Sequence, residues 1–258
     1  MHYYYHFLGI MTQAQAVKDA IRDLGGVAPL GKIYQIALKN PDCSWGTKTP
    51  QASIRRIVRH TPGIYVVRKG LYALEEFRKQ LEGNGIIQET SSNANSEEIQ
   101  LFNHYYYQGL LLKVGELKHF NTFIPNQDKN RMFLQEATLG EIRSLDRIPN
   151  FSYPQFVNRS STIDVIWFNE RNMPHSFFEV EHSTDIHNSL LKFSDLQDFN
   201  ARMVIVANEY RKSEFTKKLN EYAFRDLKEE NRVSFLSYDE LSRQYENAII
   251  DSQKPFIL

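Results

Sequence analysis

A single cysteine, Cys43, in a chain of 258 residues excludes an internal disulfide framework and a cysteine-built zinc centre, and fits a reducing cytoplasm. No apolar run approaches the roughly 18 residues of a membrane span. The start, MHYYYHFLGI, lacks the basic flank and small-residue cleavage site of an export signal, and Met11 offers an alternative start. There is no glycine-rich phosphate loop and no G-x-S-x-G elbow. Lys and Arg number 31 against 31 Asp and Glu, so the chain has no uniformly basic coat.

The even balance hides an asymmetry. Residues 1 to 82 hold 12 Lys and Arg against 6 Asp and Glu, and the remainder holds 19 against 25. A basic module is joined to an acidic one, and the length allows two ordinary domains, each with its own core.

In the basic module, Ala16, Val17, Ala20, Ile21 and Leu24 follow helical spacing, and Gly25-Gly26 stops that helix. A second helix is predicted over Pro29 to Lys39. A third runs from Pro50 to His60, with Thr49 a suitable N-cap and Pro50 at the first helical position. Its Ile54, Ile57 and Val58 form a buried stripe, while Gln51, Arg55 and Arg59 recur at steps of four beside Ser53 and Arg56. Two strand-like runs, Ile64 to Arg68 and Leu71 to Leu74, then flank Lys69-Gly70 as a hairpin with a cationic tip.

Three helices followed by a basic hairpin is the order of a winged helix-turn-helix. The runs QASIRRIVRH and GIYVVRKGLYAL resemble the winged-helix family of bacterial restriction and chromatin-associated proteins. Such a third helix enters the major groove, where Arg and Gln address guanine and adenine edges while hairpin cations, lysine and arginine, reach phosphates. The DNA-contact candidates are Lys48, Thr49, Gln51, Ser53, Arg55, Arg56, Arg59 and Lys69. A merely solvated basic face, or a protein-binding one, is the competing reading.

The domain boundaries are drawn at 12–81 for this module, 82–96 for a flexible linker (EGNGIIQETSSNANS), and 97–258 for the larger module. The larger module opens with a long helix, Glu97 to Lys118, whose stripe is Ile99, Phe102, Tyr106, Leu110, Val114 and Leu117. A strand at Asn121 to Pro125 and a QDKNR turn follow, and Phe133 to Leu145 is ambiguous. After two acidic β-type runs come a helix from about Asp185 to Phe199, a strand Met203 to Ala207, a helix Lys212 to about Leu227 and a strand Val233 to Leu236. The predicted fold class is α/β (α+β): a winged helix-turn-helix plus a mixed-sheet α/β domain.

The two acidic runs, within Ser160 to Ser183, are where chemistry concentrates. In SFFEVEHS, side chains alternate, so Phe178 and Val180 face one way and Glu179 and Glu181 the other. A hairpin brings Asp164, in STIDVIWF, alongside that pair. Three carboxylates among Val165, Ile166, Trp167, Phe168, Phe177 and Phe178, with no evident Lys or Arg between them, point to a divalent cation, and hard oxygen ligands suit magnesium or manganese. An exposed edge hairpin with an acidic face is the alternative. His175, His182 and His187 lie nearby, but their spacing supports neither a histidine metal site nor an HNH-type site.

Ile163-Asp164 followed by Phe178-Glu179-Val180-Glu181 resembles the PD-(D/E)xK nuclease signature, together with the runs FIPNQDKN and FEVEHSTDIHNSLLKFSDL, over roughly residues 97 to 240. Thr162-Ile163 stands where proline precedes the aspartate, and Glu181 replaces the usual lysine. The resemblance implies that Asp164, Glu179 and the Val180 carbonyl bind Mg2+ (Mn2+ as substitute), activating water for in-line attack on a phosphodiester. Glu181 would accept a proton or help hold a second metal, and Lys192 is the candidate for a migrated lysine. Glu116 is a further carboxylate candidate.

The resulting expectation is a sequence-specific, Mg-dependent type II restriction endonuclease acting on double-stranded DNA, homodimeric because a two-fold axis matches a palindromic site, with a cognate DNA methyltransferase in the same system and no membrane partner. The alternatives are a catalytically inactive DNA-binding regulator that has lost the lysine, and a nuclease specific for modified bases.

Overall fold

A computed structural model describes residues 11–182 and 186–254, and divides the chain into two compact units, the first ending at Asn84 and the second beginning at Gly85. The export-signal and Met1 readings, and the start of the helix expected from about Asp185, lie outside the described residues.

The first unit contains α1 (Gln13–Asp23), β1 (Val27–Pro29), α2 (Leu30–Ala37), α3 (Pro50–His60), β2 (Ile64–Arg68), β3 (Leu71–Leu74) and α4 (Arg78–Gly83). The Thr12 side chain caps α1 by accepting the Gln15 N–H. The predicted stripes are buried: Ala16, Val17, Ala20 and Ile21 on α1, and Ile54, Ile57 and Val58 on α3. The hairpin gains an unpredicted third strand, β1, giving the antiparallel order β1-β3-β2. Three residues are too few for alternation to be legible in sequence.

Two details differ from expectation. Thr49 occupies the N-cap of α3 without a side-chain capping bond, so the helix start rests on Pro50. Arg68 is not at the hairpin tip available to phosphate; it is only 5% exposed, because a register irregularity between Val66 and Arg68 turns both Val67 and Arg68 inward while Val66 faces out. Lys69 is exposed, as are Lys48, Thr49, Arg56 and Arg59, whereas Gln51, Ser53 and Arg55 are half-buried.

The second unit opens with residues whose Asn, Ser and Thr content reads as linker. Within them the Asn93 side chain makes turn hydrogen bonds, accepting the Thr90 N–H at 2.7 Å and donating to the Gln88 carbonyl at 2.9 Å. The elements are α5 (Glu97–Leu117), β4 (Asn121–Phe123), a small hairpin β5 (Met132–Phe133) and β6 (Ala137–Thr138), α6 (Leu139–Ile142), α7 (Pro154–Ser160), β7 (Val165–Phe168), β8 (Pro174–Glu181), α8 (Ile186–Ser194), β9 (Arg202–Ala207), α9 (Lys212–Leu219), α10 (Arg225–Glu229), β10 (Val233–Ser237) and α11 (Tyr238–Ser252). The sheet order is β10-β9-β8-β7-β4; β4, β7 and β8 run antiparallel in succession, and β8, β9 and β10 run parallel, giving a mixed α/β fold.

Both faces of the sheet are covered, which is why VIWF and MVIVA are continuous apolar runs. On one face Ile186, Leu190 and Phe193 of α8, with Phe215 and Leu227, pack against Ile166, Phe177, Met203 and Ile205. The other face carries α5 and α11: the Trp167 indole donates to the Leu111 carbonyl at 3.0 Å, and Tyr238 stacks on Tyr107 at 3.8 Å. Tyr106 and Tyr107 are buried there as packing residues.

α7 and α11 are absent from the sequence prediction. The helix expected over Lys212 to Leu227 is broken between α9 and α10 by Asn220-Glu221 and a 3-10 turn at Tyr222–Phe224 that buries Phe224. The ambiguous Phe133 to Leu145 stretch resolves into the β5–β6 hairpin and α6, whose start is a reciprocal Thr138–Glu141 capping box. Among the described residues no helix is long and apolar enough to cross a membrane.

Candidate active site

The antiparallel register of β7 and β8 sets Val165 opposite Phe178, which brings Asp164, just before β7, level with Glu179. The Asp164 Oδ2 accepts the Val180 N–H at 2.8 Å. Along β8, Phe177 enters the α8-side core, so Glu179 and Glu181, two and four residues on, lie under the same helix. They are 2% and 4% exposed.

α8 supplies the partners. Ser189 donates to Glu179 at 3.1 Å and makes a shorter contact to Glu181, so one hydroxyl bridges two carboxylates. One turn later, Lys192 Nζ stands 3.0 and 2.8 Å from the two Glu179 oxygens and 3.1 Å from the Thr162 carbonyl. The Arg211 guanidinium lies 3.9 Å from Glu181, and Tyr238 donates to the Glu181 carbonyl at 2.9 Å. The expectation that no Lys or Arg stands among the carboxylates is therefore corrected: both cations arrive from elements later in the chain.

Burial pushes the Asp164 carboxyl above its ordinary range, opposed by His104 and by the Val180 N–H. Burial pushes Glu179 well above its own, reinforced by the charge of Asp164 and opposed by Lys192. Lys192 is the cation in direct contact with this pair, through Glu179. Two carboxylates and the Val180 carbonyl are hard oxygen donors, the kind a magnesium ion takes, and the residues fit that ion.

On the α5 side, His104 Nδ1 is 3.2 Å from the Val180 carbonyl and Nε2 is 3.9 Å from Asp164 Oδ1. Asp128, from the turn after β4, is buried and accepts from Gln108 Nε2 at 3.2 Å; the same nitrogen donates to the Asp164 carbonyl at 3.4 Å. His104, Asp128 and Asp164 offer ligand atoms all within 4.8 Å of one another. A cleft of about 370 Å³ opens over Asp164, Glu179 and His104, lined also by Glu97, Gln100 and Lys192, with Asp128 buried behind it.

Asp164, Glu179, Val180, Glu181 and Lys192 are thus gathered at one cleft. Glu116 is not among them; it is 65% exposed beside Lys113, three residues earlier on the helix. His175 stacks on Phe120 and His187 faces Glu221, whereas His182 lines the cleft beside His104. The residues that sequence reasoning missed are His104, Gln108, Asp128, Ser189 and Arg211. Part of the signal was available, since Glu97, Gln100, His104 and Gln108 recur at steps of three and four along one helix. The DNA-contact candidates Lys48 to Arg59 and Lys69 belong to the first unit.

The chain is 28% identical over 137 residues to the type II restriction enzyme NmeDI of Neisseria meningitidis serogroup C, an alignment covering 48% of this chain and 38% of that protein. The chain therefore matches well under half the length of that curated relative. No solved structure matches it. The model of the family described as the type II restriction enzyme NmeDI C-terminal domain matches residues 86–254, from the turn before α5 to the end of α11 and so across every residue of the cleft, and the chain belongs to that family.

Proposed function

We propose that this chain is a Mg-dependent endonuclease of the type II restriction kind that hydrolyses phosphodiesters in double-stranded DNA, with a PD-(D/E)xK-like site in the second unit and a winged-helix DNA-reading module in the first. The observation that carries the reading is Lys192. Its ammonium clamps Glu179 although the sequence has Glu181 where that signature has lysine. A cation delivered from α8 fills the space that the strand leaves without one.

Asp164, Glu179 and the Val180 carbonyl would hold the ion, which when bound supplies Lewis-acid polarisation of the phosphate and a more acidic water. Lys192 presents positive charge where negative charge develops on the phosphate. Ser189 bridges Glu179 and Glu181, the Arg211 guanidinium lies 3.9 Å from the far oxygen of Glu181, and Glu181 would be the carboxylate that accepts a proton. The Val180 N–H orients Asp164.

DNA reading falls to α3, with Arg56 and Arg59 exposed for the groove and Lys48 and Lys69 for phosphates. Cutting both strands of a palindromic site favours a homodimer, and protection of the host's own sites calls for a cognate methyltransferase. Incubation with mixed plasmid DNA and Mg2+, beside Glu179→Ala, tests the reading. Discrete fragments that vanish in the variant are expected. DNA binding without cleavage under any divalent ion would instead favour the inactive-regulator alternative.

A further inference from the structure

The α5 side of Asp164 carries groups that the reading above does not use. Asp128 is 6% exposed, and among the described residues it makes no ion pair; its recorded side-chain partner is the neutral Gln108 amide. A buried carboxylate persists when it is paired or bound to a cation, and no Lys or Arg among the described residues pairs with Asp128. Gln108 is fully buried, with its nitrogen committed to Asp128 and to the Asp164 carbonyl, and its own oxygen accepts no hydrogen bond among the described residues. The amide cannot be reversed without setting oxygen against two oxygens.

His104 completes the group. A carbonyl only accepts, so in the neutral ring the proton sits on Nδ1 facing Val180 O, and the Nε2 lone pair faces Asp164 and Asp128. A ring whose second nitrogen donates to a carbonyl is the arrangement that orients a metal-binding histidine. Nε2 lies 3.9 Å from Asp164 Oδ1, too far for a hydrogen bond. One cation with bonds of roughly 2.1 Å spans such a gap, as typical metal–ligand lengths allow.

We propose that His104 Nε2, Asp128 and Asp164 form a second divalent-cation site, on the α5 side of Asp164 and sharing that carboxylate with the Glu179 ion. One imidazole nitrogen beside two carboxylates suits Mn2+ better than Mg2+, which keeps to oxygen donors and water. The inference rests on the Glu179-centred reading only through the shared Asp164; its own residues are His104 and Asp128.

Mn2+ titration of the full chain, followed by electron paramagnetic resonance and by the nitrogen modulation of the spin echo, tests it without any activity readout. Two bound ions are expected for the wild type. Asp128→Asn and His104→Ala should each bind one, and His104→Ala should lose the imidazole nitrogen signal. Glu179→Ala should also bind one but keep that signal. If Asp128→Asn and His104→Ala both retain two ions, or if the wild type shows no coordinated nitrogen, the site does not exist. If only Glu179→Ala fails to lose an ion, the second site stands and the Glu179-centred reading falls. Unfolding of the metal-free variants checks that each is folded, and either of the two α5-side variants suffices for the count.

Discussion

At the scale of single residues, Lys192 and Ser189 separate charge from scaffolding. Replacing Lys192 by methionine keeps the aliphatic stem but removes the ammonium from Glu179, and Mg-dependent cleavage should fall by about 10²–10³, the size expected for one electrostatic stabiliser. Single-turnover cleavage of a plasmid measures this, and an unchanged rate would reject the assignment. Ser189→Ala takes one donor from two buried carboxylates, and urea denaturation should show a loss of about 1–3 kcal/mol, the cost of leaving a buried acceptor unsatisfied. The carboxylates themselves were legible in the sequence because alternation along one strand is a local property. Lys192 was legible only as a candidate and His104 only as part of a polar stripe on its helix, and Arg211 and Asp128 were not legible, because each comes from a separate segment whose path no spacing encodes.

At the scale of elements, α5 packs tightly against the sheet at its C-terminal end. A Cβ at Gly115 would come within 2.5 Å of Thr122 and 2.7 Å of the Trp167 ring nitrogen. Gly115→Ala should therefore destabilise by about 1–3 kcal/mol through overpacking, seen as a lower urea midpoint. α11 begins with a reciprocal Ser237–Glu240 capping box, and the Ser237 N–H holds the Glu240 carboxyl below its ordinary range. A carboxyl depressed by folding contributes stability that is complete above its unfolded value and lost as pH falls through the folded one. The stability gap between wild type and Glu240→Gln should thus close on acidification below about pH 4, where model carboxylates titrate. Elements with a clear stripe and a stop, such as α1 and α3, could be read from sequence. α11 went unpredicted although its capping signal SYDE is explicit and Tyr238, Leu241, Tyr245 and Ile249 recur at steps of three and four; its partner is a helix more than a hundred positions earlier. α5 misled in the opposite way, since it is buried nearly all round beyond Tyr106 and no single stripe describes it.

At the scale of the whole molecule, the opposite charge of the two halves predicts that DNA affinity and metal-dependent cutting are separable. Binding measured in chelator should be strong at low salt and fall steeply with added salt, and Arg56→Ala or Arg59→Ala should each reduce the salt slope by about one. Fluorescence anisotropy with a labelled duplex reads this directly, and a slope indifferent to both substitutions would remove α3 from the interface. The order of three helices and a hairpin was visible in sequence from local signals such as Thr49-Pro50 and Lys69-Gly70, while the inward turn of Arg68 was not, because a one-residue irregularity in β2 has no compositional mark.

The alternation of β8 amounts to a parity rule for the chain. Odd-numbered positions from Phe177 to Glu181 face α8, Phe177 in its core and Glu179 and Glu181 in the cleft, and even-numbered ones pack on the opposite face, Phe178 against Trp167. A single-residue deletion between Phe177 and Glu179 would exchange the two sets, sending a carboxylate into the aromatic layer and Val180 into the cleft. A deletion of one residue in the Asn169–Met173 turn would leave the parity of β8 intact. Variation in length should accordingly be tolerated at the turn and excluded from the strand, although the two stretches lie only a few residues apart.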